Sequence, residues 1–387
     1  MGFLKTKTSI TRYQIKEYTP LRFSDAEAFS ANLKRYSFRE LEDTQTRSFG
    51  WVDMFDNLNI NFEDLFYIKG EFIVLSIRTD TKRVPYSAWA SKYRKVIQER
   101  KQITGKLSQS ERKEIKNAIK EKLLKQALPT TKVVDVIWNL NTGEVLFSST
   151  NENTNIIFVK LFKDTFNYRL EMLVPHQIAE RVSCSLKPKD AQKIKDLLPS
   201  NFAAVPSYSD VGVISGDMVS TIASKKFIGE EFLTYLWWRS QKINGVFNLP
   251  DLMVELYVDD RIILTGDNGG KVSRIVCSGD NVELKEAREA LSLGKRVSEI
   301  KFKFFIEDQQ FTVVMDSSYF KIISCKTPKV SIDKDDMDGA FFEKVALLQK
   351  IIFCIEKLYA QFLQLRISDN WERMRKQIQN WAINKEK

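Results

Sequence analysis

Between Lys82 and Lys132 the chain has few ways to fold. Pro85 stops an extended segment, and Ser87 can cap a helix whose apolar side is Trp89, Tyr93, Val96 and Ile97, ending near Gly105. Ser108 with Glu111 forms a capping box that opens a second helix, with Ile115, Ala118, Ile119 and Leu123 on one side, and Pro129 forbids its continuation. Each helix spans roughly 16 to 19 residues, about 24 to 28 Å at 1.5 Å per residue. The spacing therefore predicts an αα-hairpin.

This stretch also holds the charge. It carries 15 Lys or Arg against 4 acids, a formal +11, whereas the whole chain of 387 residues is +10. The other 336 residues sum to −1. Basicity so confined has a local target, and a polyanion is the first candidate. Arg112, Lys116 and Lys120 recur every four residues and form one row along the second helix. Solubility alone calls for mixed signs, not one sign.

The flanking segments read as strands. Lys5 to Tyr18 alternates loosely, Ser24 with Glu27 suggests a capped helix, and Phe49-Gly50-Trp51-Val52 reads as a short apolar turn. Leu65–Ile68 and Phe72–Leu75 form a hairpin around Lys69-Gly70-Glu71, and Val133–Trp138 with Val145–Ser148 form another around Asn139–Gly143. The helix pair is thus an insertion between strands, a finger on a sheet.

Beyond it, Pro175 to Tyr208 reads as an irregular junction, Glu230 to Arg239 as an aromatic helix, and Leu252–Leu264 with Lys271–Cys277 as a hairpin. A helix over Leu284–Leu293, strands at Glu299–Ile306, Phe311–Met315 and Phe320–Cys325, a long helix Asp338–Leu365 and a basic helix near Trp371–Trp381 follow. The expected class is α+β. The expected domains are 1–85 with 133–175 as a central sheet domain, 86–132 as the basic tip, 176–338 as a second α+β domain, and 339–387 as C-terminal helices on the body or a dimer interface.

Enzymatic motifs are scarce. The four cysteines form no C-x-x-C pair, and the single histidine, His176, excludes multi-His metal sites and argues against a catalytic triad; it reads as a surface turn residue. No phosphate-binding G-x-x-x-x-G-K-[ST] occurs. The sharpest enzymatic alternative is a Mg-dependent nuclease using Glu283 and Lys285 with Asp267 or Asp280, although acids are also favoured at a helix start. Phe232, Tyr235, Trp237 and Trp238 could stack on bases, but their helical spacing favours core packing. No apolar run of signal-peptide length opens the sequence, and charges interrupt Phe341–Leu365, so a cytoplasmic protein is expected.

Several of these residues together resemble the recombination-associated RdgC family. They are Phe49-Gly50-Trp51-Val52, the basic insertion with Lys106-Leu107, Glu111-Arg112-Lys113 and Lys116, the exit Leu128-Pro129, and Val136-Ile137-Trp138 with Thr142-Gly143. Near the C-terminus, Ala290-Leu291, Gly294-Lys295, Val297 to Phe302, Phe311 to Met315, Phe320-Lys321 and the acidic run Asp333 to Asp338 follow the same order. The resemblance implies a horseshoe-shaped α+β subunit with antiparallel sheets and an inserted basic two-helix finger. It further implies a non-enzymatic homodimer that closes a ring around double-stranded DNA, without reading sequence, and so limits a RecA-type recombinase.

Carried over on matching motif positions, the DNA-binding residues would be Lys106, Arg112, Lys113 and Lys116. The charge reading adds Lys92, Arg94, Lys95, Arg100, Lys101 and Lys120. Relatives often have an aromatic three residues after the Leu-Pro exit, where this chain has Lys132. No cofactor or metal is expected, and the implied location is cytoplasmic and nucleoid-associated. A third reading makes the basic finger an adaptor for RNA or an acidic protein.

Overall fold

The computed structural model describes residues 2–43, 45–184, 186–203, 225–242, 244–250, 252–268, 271–279, 284–330 and 336–383. β1 (Lys7–Ile15) comes first. Ser24 does not cap a helix: α1 (Phe23–Glu27) follows Arg22, whose amide donates to Asp25 Oδ2 at 2.8 Å, and a separate α2 (Ser30–Arg35) comes next. The apolar Phe49–Val52 run is not a turn but lies within β2 (Arg47–Val52). There Gly50 is required, because a Cβ would lie 2.5 Å from the Phe38 nitrogen. A hairpin forms here from β3 (Ile68–Lys69) and β4 (Phe72–Thr81), but its first arm is shorter than the expected Leu65–Ile68: Leu65, at φ +53°, follows a 3-10 turn over Phe62–Asp64, and Lys69 belongs to the strand and not to the turn.

The two basic helices are α3 (Tyr86–Thr104) and α4 (Gln109–Gln126). Pro85, not Ser87, precedes the first, and Gly105 at φ +74° ends it. Ser108 caps the second: its Oγ accepts from the Glu111 amide at 3.2 Å while Glu111 Oε2 accepts from the Ser108 amide at 2.8 Å. Then come β5 (Thr130–Asn139), β6 (Glu144–Phe147), α5 (Glu152–Phe166) and β7 (Leu170–Met172).

The stretch expected to be irregular instead begins with α6 (Pro175–Ser183) and α7 (Pro188–Lys195). Each opens on a proline, which suits the first turn because the missing N–H would have had no partner there. His176 therefore sits in a helix, half-buried, and not in a turn. The remainder comprises α8 (Phe227–Lys242), β8 (Val246–Leu249), β9 (Leu252–Asn268), β10 (Lys271–Ser278), α9 (Lys285–Ser292), β11 (Arg296–Ile306), β12 (Gln309–Asp316), β13 (Ile322–Lys326), α10 (Met337–Arg366) and α11 (Trp371–Ala382). Gly269 and Gly270, between β9 and β10, lie outside the described residues. The class is α+β with extensive antiparallel sheet.

The chain divides into two compact units. One comprises Met1–Lys16, Glu144–Asn155 and Leu170–Lys387. Its strands run β10-β9-β11-β12-β13-β1-β6, all antiparallel, with β7 on β1 and β8 on β9. α10 buries Phe341, Leu348, Ile351, Tyr359 and Phe362. Arg12 of β1, 5% exposed, bonds both Glu144, at 2.7 Å, and Glu356 of α10. Burial alone would lower the Arg12 pKa, but the two carboxylates together raise it.

The other unit comprises Glu17–Gly143 and Ile156–Arg169. Strands β2, β4 and β5 lie side by side and antiparallel, with β3 also on β4. One face carries Trp51, Ile77, Val134 and Trp138, all buried. α5 covers it through Phe162 and Phe166, and Trp51 Nε1 donates to Thr165 Oγ1 at 2.8 Å. On the opposite face Ser76 Oγ donates to Asp135 Oδ1 at 2.8 Å, and Arg78 pairs with Asp80 at 2.8 Å. Among the described residues no helix is long and apolar enough to cross a membrane.

Candidate nucleic-acid interface

β4 and β5 pair without interruption from Phe72↔Asn139 to Thr81↔Thr130, and the chain between those two ends is the basic helix pair. Its own core is thin. Ala90, Leu107 and Ile119 are buried, and Trp89, Tyr93, Val96, Ile97, Ile115, Leu123 and Leu124 are half-buried. Ala118, expected on the apolar side, is exposed; the stripe follows Ile115, Ile119 and Leu123 at four-residue spacing.

A narrow stripe on each helix leaves most of the remaining surface to the cations. On α3, Lys92, Arg94, Lys95, Arg100 and Lys101 are all exposed; so are Lys106 in the link and Arg112, Lys113, Lys116 and Lys120 on α4. Among the described residues none of these ten makes an ion pair with a carboxylate. Glu111 is held below the usual carboxylate range by the amide and hydroxyl of Ser108, with nearby Arg100 adding to the effect. It is therefore an anion engaged in capping. The surface therefore presents a run of exposed cations along both helices and their link.

Aromatic rings lie at the start of this surface. Trp89 and Tyr93 stack at 5.1 Å and 15°, Tyr86 follows at 5.6 Å from Trp89, and Lys116 Nζ lies 5.8 Å from the Trp89 ring. Tyr86 is 78% exposed. Its position as the first residue of α3 follows from Pro85, but its exposure is a tertiary outcome that periodicity does not signal.

The other candidates fare differently. Asp280 and Glu283 lie outside the described residues, Asp267 falls within β9, and Lys285 is the first residue of α9. Phe232, Tyr235, Trp237 and Trp238 of α8 are buried against Tyr359, Phe362 and Trp381 and cannot stack on bases. The acid-x-Lys order recurs at Glu299-Ile300-Lys301, within β11. There Lys301 and Lys303 each approach Asp259 to 2.8 Å, and Arg261 approaches Glu299 to 3.1 Å. Those carboxylates are already neutralised. Among the described residues no group of three or more His, Cys, Asp or Glu side chains is placed to hold a metal ion.

A protein-family model described as "Putative exonuclease, RdgC" matches residues 8–185, which include the whole helix pair and the strands that carry it. Over these residues the chain is similar to the RdgC family. No curated protein matches the chain significantly.

Proposed function

We propose that this chain, similar to the RdgC family over residues 8–185, binds double-stranded DNA without reading its sequence, as a homodimeric clamp or ring of horseshoe-shaped subunits, and thereby limits recombinase access. The observation that carries this reading is the set of ten exposed cations on α3, α4 and their link, none of them ion-paired with a carboxylate among the described residues. Lys and Arg on such a surface contact phosphates, which positions the protein on a duplex without base readout. One finger per subunit suffices when a second subunit brings another. The reading gives the protein no catalytic step and places it with the nucleoid.

Duplex binding measured across a salt series tests this. With about 8 phosphates neutralised, log affinity falls against log salt with a slope of about −7. Reversing Arg112, Lys113 and Lys116 to Glu weakens binding and leaves the fold intact. A slope near zero, or strong preference for one sequence, overturns the proposal.

The family description favours one second reading, a nuclease. Incubating the protein with linear and circular duplexes and Mg²⁺ separates the two. Cutting above background that is lost in Glu283→Gln supports the nuclease.

A further inference from the structure

We infer that the phosphate-binding surface does not end with the two helices but runs down onto the sheet, where Arg47 of β2 and Lys132 of β5 form a second contact for the DNA backbone. This inference rests on the DNA-binding reading and adds residues to it.

The sheet register makes the case. Arg47 pairs with Thr81, and Thr81 pairs with Thr130, so these three form the row from which the helix pair springs. One row further in, Phe49 pairs with Thr79 and Thr79 with Lys132. Paired residues in an antiparallel sheet share a face, and so do residues two apart along a strand. Arg47, Phe49 and Lys132 therefore share the face of Trp51, Ile77, Val134 and Trp138. Helical cover buries the inner part of that face, whereas Arg47, Phe49 and Lys132 are exposed.

What lies there suits a phosphate. Two cationic strands flank the hydroxyls of Thr79 and Thr81, and the Arg47 guanidinium stands 6.0 Å from the ring of Phe49. Asp80 of β4 lies on the opposite face with Arg78, and Asp43 lies 4.0 Å from Lys82. Partial burial lowers the Lys132 pKa, and the Arg47 charge lowers it further. The two cations thus sense each other, and an anion between them would relieve that repulsion. Arg47 lies well upstream of the basic stretch in sequence, so no count of local charge reaches it.

The test compares salt slopes for the full-length protein on a labelled duplex. The double variant Arg47→Gln/Lys132→Gln is expected to bind with a slope shallower by about 2, with unchanged far-ultraviolet circular dichroism. The charge-keeping pair Arg47→Lys/Lys132→Arg is expected to retain the parental slope. Should the double variant fold poorly, Arg47→Gln alone, at an exposed position, is expected to lower the slope by about 1. A parental slope in the Gln variants, with binding lost in the Arg112, Lys113 and Lys116 reversal, overturns the inference and leaves the helix-pair reading standing. Parental binding in that reversal overturns the helix-pair reading itself.

Discussion

Lys116 Nζ of α4 lies 5.8 Å from the centre of the Trp89 ring of α3, so one side chain both joins the two helices and contributes to the cationic surface. Its two contributions can be separated. Lys116→Met keeps an unbranched stem over the indole and removes the charge. Duplex affinity near physiological salt is expected to fall about fivefold, with the salt slope shallower by about 1. The melting temperature should stay close to the parental one, since an exposed cation–π contact contributes only about 0.5–1 kcal/mol. Equal affinity in a filter-binding or anisotropy titration would remove Lys116 from the surface.

The capping box makes the second helix a separately testable part. Ser108→Ala removes the acceptor of the Glu111 amide, at 3.2 Å, and is expected to destabilise α4 by about 1 kcal/mol. With so thin a core between α3 and α4, the effect should appear as faster amide exchange in α4 while the β4–β5 amides stay protected. Faster exchange throughout both elements would show that the helices and sheet unfold together.

Gly50 is a packing requirement, not a hinge. Its Cβ position lies 2.5 Å from Phe38 N and from the carbonyl carbon of Ser37, both backbone atoms of the segment bridged to β2. Gly50→Ala is expected to cost about 3 kcal/mol, read from denaturant unfolding. A cost below about 0.5 kcal/mol would mean that this segment moves aside easily.

His176 gives the chain its one histidine titration. Burial lowers its pKa, Glu180 works against that, and Lys225 lowers it further. A base whose folded pKa lies below its unfolded value contributes stability above the unfolded value, near 6.5, which is lost as pH falls through the folded pKa. Thermal stability should therefore fall modestly as the pH drops below about 6.5, and His176→Gln should flatten that dependence. An unchanged pH profile in the variant would assign the effect to other groups.

Arg12 links β1 to α10 through Glu144 and Glu356. Arg12→Met leaves two carboxylates beside a buried apolar side chain and is expected to cost about 3 kcal/mol. The double change with Glu356→Gln should recover part of that loss. No recovery in the unfolding midpoint would show that Glu144 is the dominant partner.

Local chemistry determined much of this protein. Ser108 with Glu111, Gly105 and Pro129 mark the ends of two helices through backbone hydrogen bonding within a few residues, and four-residue spacing puts Arg112, Lys116 and Lys120 in one row. Those features follow from positions near each other in the chain. Phe49–Val52 misled the turn reading because a short apolar run around a glycine has no period of its own; only pairing with β4 and the crossing of Ser37 and Phe38 make it a strand. Pro175 and Pro188 suggested irregularity where each in fact starts a helix. Tertiary structure alone decided which residues join the basic surface from outside the basic stretch. Arg47 lies 85 positions before Lys132 in the numbering, and only their common neighbour strand β4 brings them to one face. Register is a long-range property, set by which strands bury Trp51 and Trp138 against α5, and no window of sequence contains it.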